Sequence, residues 1–534
     1  MSTARRRQDL SPAWPIVAFT LLGAAIRGWD LGGSPLWLDE NATFLSLLHL
    51  WDQGGEAPIF VQSSNPLYYT LLWGWTQLAG DSVTALRAFS ALAGTACIPV
   101  GAALGRQLGG LTAGRIAALL IALHPLQIHY SREARAYALW TLALLVAATA
   151  LRRAVLRGTV RSWGLAAFAW VAAFGVHVFT AFALPATAAC VLWARNRPQA
   201  LRRWLVWSAG LTALAVGYVV IWLRPVLNAG AGSWLRPEDW DPIGSLFASA
   251  WALLPAGAYP DHLAQLSAPS GATLAARGLD VGVALFPLVL VPFALAALPR
   301  PLGGPSDWRP LAALAVGPIA LEWLVSWWTP VYLPGRYDLL AWGPATLCVA
   351  LGVASLGRDT PPRRQRWIQR GAALTLALCA AVPIGRILAT EGPGGWDQQR
   401  ALRLSELAQE GDLIITFSND DDAMAHTLAI TEFPGTLRPF PRWLARQIAF
   451  TDSARDLSAS RRVALARDAT RVVQRVRRTL AGGGRVFWLS DALRLDGRGA
   501  RAQLVTALER ELRSAGLHRQ AVDTSFAIDR LQPF

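Results

Sequence analysis

LRAFSALAGTACIPVGAALGRQLGGLTAGRIAALLIALHPLQIHYSREARAYALW, residues 86–140, contains two apolar runs joined by GRQLGG, then a dense polar cluster, then the start of a third run. A helix of about 20 apolar residues crosses a bilayer core, and helices or closed barrels are the structures that satisfy their own backbone there. The runs at 85–105 and 112–128, the second of them short like those at 163–179 and 180–194, read as spans, so the stretch is a membrane hairpin that delivers ionisable residues to one face. Working outward, nine further apolar stretches follow the same rule, at 13–29, 136–151, 163–179, 180–194, 204–223, 278–299, 310–328, 338–356 and 368–389.

Composition agrees. Of 534 residues, 53% are hydrophobic and 16% charged, and there are 25 Trp; a soluble globular chain carries about 25% charged residues. Disorder, a fibrous protein and an ordinary soluble enzyme are excluded. Cys97, Cys190, Cys348 and Cys379 all sit in apolar runs and read as small core side chains, not as a disulfide or zinc framework.

The net charge of +15 does not indicate nucleic acid, because of where it lies. Residues 1–389 hold 29 Arg against 17 acidic residues, a balance of +12, whereas residues 390–534 balance at +3. With the N-terminus in the cytoplasm, 20 of those 29 Arg fall in inner loops, as the positive-inside rule requires. The basic start MSTARRR precedes an apolar run without a small-residue cleavage site, so that run reads as a first anchor.

This topology leaves long outer loops at 30–84 and 224–277 and a compact one near 329–337. Within the second, SLFASAWALLPAGAY reads as a helix lying in the membrane interface. The domain reading is a membrane domain, 1–389, and a small extracytoplasmic α/β domain, 390–534, with strands expected at 411–418 and 484–491 and helices at 399–409, 462–480 and 499–515.

Four segments carry candidate chemistry. Asp39 and Glu40 in WLDE follow the first span; a carboxylate there serves as general base or holds an acceptor hydroxyl, and Asp39 would equally serve as a helix cap. NPLYYTLLWGW, 65–75, offers Asn65, Tyr68 and Tyr69, which also fit an interfacial aromatic belt. HYSREARAY supplies His129, Arg132, Glu133, Arg135 and Tyr137; Arg132 and Glu133 would also satisfy each other in a headgroup loop. Glu133 is expected on the same membrane face as Asp39, which makes the two a candidate catalytic pair. YLPGRYDLL places Arg336 and Tyr337 at the outer end of a span, and a guanidinium fork suits phosphate as well as it suits bulk headgroups.

Glu322 lies inside a span, a position that marks function by default, but the sequence supplies no partner for it. The Asp420–Asp422 run reads as a helix cap, and His49, His124, His177, His262, His426 and His518 read as structural. No phosphate-binding glycine loop, dinucleotide fingerprint or metal-type Cys/His spacing occurs.

Taken in order, WLDE, NPLYYTLLWGWTQLAGDSVTALRAFSALAG, GRQLGG, HYSREARAYAL and GRYDLL resemble the GT-C class of membrane glycosyltransferases. The nearest resemblance is to the branch related to protein O-mannosyltransferases and aminoarabinose transferases, the glycosyltransferase 39 and 83 groups. It implies an all-α polytopic bundle, here of about 11 transmembrane helices, with a C-terminal extracytoplasmic α/β domain. It also implies an inverting transfer at the outer face of a bacterial inner membrane, from a polyprenyl-phosphate sugar to a protein, lipid or glycan acceptor, with no nucleic-acid partner.

By position, the resemblance makes Asp39 the base with Glu40 beside it, and makes Glu133 the acidic residue of the SQEAR-like motif. It places Arg336, Arg132 and Tyr337 at the lipid phosphate, and Asn65, Tyr68, Tyr69, His129 and Tyr137 at substrate or acceptor. Many relatives carry His-Pro-Pro where this chain has Ser64-Asn65-Pro66, so no cofactor and no obligatory metal is expected. Three other readings stand beside this one: a ligase or polymerase of O-antigen type using a diphosphate-linked glycan, a transporter or flippase, and a non-catalytic scaffold on the same fold. A transporter would need several ionisable residues near the midplane and inverted repeats, whereas only Glu322 lies at a span centre and no repeat is seen.

Overall fold

The computed structural model describes residues 14–33, 36, 39–40, 43–44, 47, 65–192, 197–223, 241–254, 287–298, 308–328, 331–390, 403–417, 436–440, 459–489, 508–523 and 528–533. They divide into two compact units. One comprises 1–31, 56–221 and 237–389; the other comprises 32–55, 222–236 and 390–534. The second unit therefore adds two earlier segments, 32–55 and 222–236, to the C-terminal tail.

The first unit is helical. Its elements are α1 (Trp14–Gly28), α2 (Pro66–Ala79), α3 (Val83–Ala122), α4 (Pro125–Ser131), α5 (Tyr137–Arg157) and α6 (Val160–Val176). Two 3-10 segments, Val178–Ala183 and Pro185–Thr187, lead to α7 (Ala188–Leu192) and α8 (Arg197–Tyr218). Then come α9 (Pro242–Ala252), α10 (Pro287–Ala296), α11 (Arg309–Ser326), α12 (Leu339–Ser355) and α13 (Pro362–Thr390). Helix occurs within each of the eleven apolar stretches, and five helices are long and apolar enough to cross a membrane by length and composition.

Within α3 the backbone leaves helical geometry at Gly109 and Gly110, which divides it into the two arms of the expected hairpin. The arms then pack on each other: a Cβ on Gly101 would meet the Ile121 side chain, and one on Gly105 would meet Ala117. Outward faces of the bundle carry Leu165 and Phe168 on α6, Val206 on α8, and Leu374 and Leu378 on α13, all exposed. Apolar side chains of that size on the outside are stable against lipid, not water. Nearly every residue of α12 is buried, the signature of a helix surrounded by others.

One buried charge ties the bundle together. Arg27, in the last turn of α1, has no exposed surface. Its Nε donates to Gln127 Oε1 at 3.0 Å, Nη1 to Gly23 O and Ala122 O at 3.0 Å, and Nη2 to Ile121 O at 3.0 Å and to Gln127 Oε1. The carbonyls of Ile121 and Ala122 belong to the last turn of α3, where no intrahelical donor remains. A cation at a helix C-terminus also meets the negative end of its dipole. Gly94 lets α3 approach α4 closely enough for this; a Cβ there would fall 2.0 Å from Ser131 Oγ.

The second unit contains a five-stranded sheet: β1 (Leu413–Phe417), β2 (Thr436–Phe440), β3 (Val486–Leu489), β4 (Leu517–Asp523) and β5 (Ile528–Pro533), in the order β2-β1-β3-β5-β4. β1 runs parallel to β2 and β3, whereas β5 runs antiparallel to β3 and β4. Strand alternation sends Leu413, Ile415, Val486 and Trp488 against α14 (Ala459–Ala481), and Ile414, Phe487 and Leu489 against the 403–407 helix. Both faces of the central strands are thus buried, which explains their uninterrupted apolar sequence.

The entry into β3 is fixed by a carboxylate. Asp412, buried, receives Arg485 N at 2.6 Å, Gln409 N at 2.7 Å and Arg485 Nη2 at 2.7 Å. Burial alone would raise its pKa, but the bonds from the Arg485 side chain and from the two backbone amides outweigh it and hold the carboxyl below its ordinary value.

Both anchors can be tested by substitution. Arg27→Leu orphans at least two helix-end carbonyls, at about 1–3 kcal/mol for each buried group left unsatisfied. The purified protein in detergent is expected to unfold at a clearly lower temperature than wild type, whereas Leu22→Ala on the lipid face shifts it little. For Asp412, a folded-state pKa below the unfolded one contributes stability above the unfolded value, near pH 4, that disappears as pH falls through the folded value. Asp412→Asn is therefore expected to speed amide exchange in β1 and β3 at pH 7, with the difference from wild type closing as pH falls through the folded-state value.

Candidate functional site

α4 ends at Ser131; Arg132 caps it out of helical geometry, and the chain bends through Glu133, Ala134 and Arg135 before α5 begins at Tyr137. The bend is held from both sides. Arg132 Nη1 donates to Ile26 O at 3.4 Å and also to Trp29 O, just beyond α1. Ser90 Oγ of α3 donates to Arg135 O at 3.1 Å. Arg132 is thus engaged with the end of α1, in place of the Arg132–Glu133 pairing that the sequence left open.

Glu133 instead meets His129, one turn earlier on α4, with Nε2 and Oε1 3.2 Å apart. Glu133 is buried, and its Oε2 has no hydrogen-bond partner among the described residues. A buried carboxylate oxygen of this kind is suited to accept a hydrogen bond from a substrate hydroxyl.

Around the bend, aromatic rings and guanidiniums gather on Tyr137. Tyr130 lies 4.7 Å from it and the His177 ring 6.0 Å, centroid to centroid. The guanidinium carbons of Arg135 and Arg336 stand 5.9 and 5.8 Å from the same ring, within cation–π range. Tyr337 packs on Phe179 at 4.3 Å and on His177 at 5.8 Å. The structure therefore gathers Arg135, Tyr137, Arg336 and Tyr337 around His177, with the His129–Glu133 pair joined to them through Tyr130, which lies 4.9 Å from His129.

Arg336 is presented by a clasped turn. Gly335 has φ +76°, a conformation that favours glycine. Its N–H donates to Asp338 Oδ2 at 2.5 Å, and Tyr332 Oη donates to Asp338 Oδ1 at 2.6 Å. Ser326 Oγ at the end of α11 accepts Val331 N at 3.2 Å and Tyr332 N at 3.0 Å, and donates to Glu322 O at 2.8 Å. Asp338 is fully buried, so both carboxylate oxygens are committed to holding the two ends of the Pro334–Gly335 turn. Glu322 lies behind this clasp, fully buried, with neither carboxyl oxygen hydrogen-bonded among the described residues.

The remaining sequence candidates lie on other elements. Asn65 caps α2 through its backbone, with Tyr69 N donating to its carbonyl at 3.3 Å and no side-chain cap bond. Tyr68 is buried against Tyr69 and Phe89, 5.4 and 6.1 Å away. In the second unit, Asp39 and Glu40 are helical, Glu40 is buried, and Thr43 Oγ1 donates to Asp39 O at 3.2 Å. Asp420–Asp422, His49, His262 and His426 fall outside the described residues. His124 is buried edge-on to Trp342 at 5.5 Å, in a structural position. Among the described residues no group of three or more His, Cys, Asp or Glu is placed to hold a metal ion.

Sequence reasoning did not single out Asp338, and it set His177 among the structural histidines. It also left Arg135 in the cluster without a role. Two arginines flanking Glu133 at close spacing were the available signal for Arg135; no pattern marks the other two.

An apolar groove runs between the 3-10 segments and α8, lined by Ala181, Leu184, Trp204, Ala215, Val216 and Val220 among others. Its lining is the kind that a hydrocarbon chain fills.

Residues 63–222 match the family model described as dolichyl-phosphate-mannose-protein mannosyltransferase. No curated protein matches the chain. Among solved structures, apo ArnT from Cupriavidus metallidurans aligns at TM-score 0.54 and 13% identity, covering 99% of this chain and 98% of that one. The same enzyme bound to undecaprenyl phosphate aligns at TM-score 0.51 and 13% identity, covering 97% and 98%. At such identity the likeness is one of fold. The chain is a multi-pass membrane protein with the GT-C fold seen in ArnT, and its segment 63–222, which carries Glu133, Arg135, Tyr137 and His177, has the pattern of the mannosyltransferase family.

Proposed function

We propose that this protein is an inverting membrane glycosyltransferase that moves a sugar from a polyprenyl monophosphate to an acceptor hydroxyl at the outer face of a bacterial plasma membrane. The observation that carries the reading is the meeting of Arg135 and Arg336 on one tyrosine ring, with Glu133, a buried carboxylate with a free oxygen, two residues before Arg135 in the same bend. Two planar guanidinium forks recognise a phosphate by geometry as well as by charge. The ArnT structure bound to undecaprenyl phosphate supports a polyprenyl-phosphate donor, and the groove along α8 suits a prenyl tail.

In this reading Arg336 and Arg135 take the phosphate oxygens, with Tyr337 packed beside them. Arg132 holds the bend that presents Glu133. Glu133, oriented by His129, accepts a hydroxyl of the sugar or acceptor, and Tyr137 supports the sugar face. Asn65, Tyr68 and Tyr69 at the start of α2 are assigned to the acceptor from their place in the sequence motif. Asp39 is assigned as base from its place in the first outer loop, with Glu40 beside it. The acceptor oxygen forms its bond to the anomeric carbon from the side opposite the phosphate. The bond from that carbon to the phosphate oxygen breaks with its electron pair on phosphate, and the acceptor proton passes to the Asp39 carboxylate.

Phosphate is already a good leaving group. What remains for the protein is alignment, to which bringing two reactants together contributes up to roughly 7–11 kcal/mol, and charge stabilisation at the departing oxygen. No cofactor enters the scheme.

The test is sugar transfer from radiolabelled polyprenyl-phosphate hexoses by purified protein, with native membranes as acceptor. Arg336→Ala is expected to lower transfer by about 10²–10³-fold, and Asp39→Asn by about 10²–10⁴-fold, in proteins whose thermal unfolding matches wild type. Consumption of diphosphate-linked glycans with no transfer from any monophosphate donor overturns the reading, as does full activity in both variants.

A further inference from the structure

The backbone between α6 and the first 3-10 segment is broken at one residue. His177 is extended, with φ −156° and ψ 123°, in the middle of an apolar stretch. Such a break needs its polar groups satisfied locally, and in membrane proteins it is tolerated where it is buried in protein or lines a cavity. Here both backbone groups of His177 are satisfied. His177 N donates to Ala173 O at 3.0 Å, Thr180 N to His177 O at 3.1 Å, and Thr180 Oγ1 to Ala173 O at 3.0 Å. Trp140 Nε1 donates in turn to Thr180 Oγ1 at 2.8 Å.

The imidazole itself is set with equal care. It stacks on Trp140 at 4.3 Å and 20°, and Phe179 meets it edge-on at 5.2 Å. Phe179 N donates to its Nδ1 at 3.3 Å. An Nδ1 that accepts a hydrogen bond carries no proton, so the neutral ring holds its proton on Nε2 and offers it as a donor. Protonating Nδ1 as well would break that bond and add a third positive charge beside Arg135 and Arg336. The ring also belongs to the Tyr137–Tyr337 cluster, at 6.0 and 5.8 Å.

From this geometry we infer that His177 is a further ligand-binding residue of the site, a neutral Nε2–H donor to the lipid-linked phosphate held by Arg135 and Arg336. The inference rests on the phosphate-site reading of the preceding section, and assigns to that site a donor from a third segment of chain. A neutral donor suits the step, because it binds the phosphate while leaving its charge to the two arginines.

The test measures binding of radiolabelled undecaprenyl phosphate to the full chain in nanodiscs, with thermal unfolding recorded for each variant. His177→Gln can carry an amide N–H where Nε2 stands, whereas His177→Asn reaches only the Nδ1 position and His177→Leu has no donor. Affinity is expected to fall about tenfold or more in the Asn and Leu variants and to be largely restored in the Gln variant. If Arg336→Ala weakens binding while all three His177 variants bind like wild type, the histidine is not a ligand and the phosphate site stands without it. If all three weaken equally and unfold at lower temperature, His177 only shapes the helix break and the inference fails. If even Arg336→Ala binds like wild type, the phosphate site falls and the inference with it.

Discussion

A guanidinium with no exposed atom inside a membrane bundle is the constraint on which the first unit is built. Arg27 finds no carboxylate among its hydrogen-bond partners; its acceptors are carbonyls and side-chain oxygens of Gln127 and Ser131. Burying a charge this way is costly unless every donor is used. The acceptors that use them include the carbonyls at the end of α3, whose own need for donors is as strict. Each group removes the other's penalty. That mutual requirement fixes the rotation of α1, the end of α3 and the start of α4 in one step, because any slip leaves both sides unsatisfied. His129 and Glu133 inherit their place from it, since they follow Gln127 on the same short helix and the bend after it.

The site is then assembled from three interruptions of helix. One is the bend at 132–136, one the break at His177, and one the Pro334–Gly335 turn ahead of α12. Each is stabilised by a residue that takes no direct part in the chemistry. Ser90 holds Arg135 O, Thr180 holds Ala173 O, and Asp338 holds Gly335 N. All three interruptions bring a side chain to the Tyr137 ring or its neighbour Tyr337. Continuous helices would point their polar side chains along a stripe with fixed spacing. Breaks free that spacing, and so let residues 135, 177 and 336 meet.

Much of this was legible from residues alone, and the rest was not for identifiable reasons. The apolar stretches, the GRQLGG turn and the SREARAY cluster declare themselves because length and polarity inside a bilayer leave few choices. Arg336 was visible because a Pro-Gly turn at a span end is a strong local signal. Asp338 was not, because its role depends on where Tyr332 and Gly335 fold. His177 was not, because a lone histidine in an apolar run has no spacing pattern, and the break it occupies is set by Trp140 and Thr180. In the tail, the two apolar strands were recognisable, whereas β2, with Pro439, and the polar β4 were not; both lie at sheet edges, where proline and polar residues are permitted. The grouping of 32–55 and 222–236 with the tail is tertiary and leaves no mark on composition.

The chain contains arginine but no lysine, and the site shows what that permits. An ammonium is a strongly hydrated point charge on a flexible stem, whereas a guanidinium is planar, weakly hydrated and able to lie over an aromatic ring. Tyr137 can therefore support Arg135 and Arg336 together and hold their forks ready before a ligand arrives. Preorganisation of that kind matters most when the bond to be broken is already labile, because little of the barrier remains for acid–base chemistry to remove. The residues that hold the arginines still then contribute to the rate as well. Asp338 touches no substrate in this scheme, yet it fixes the turn from which Arg336 extends, and catalysis depends on that turn as it does on the guanidinium itself.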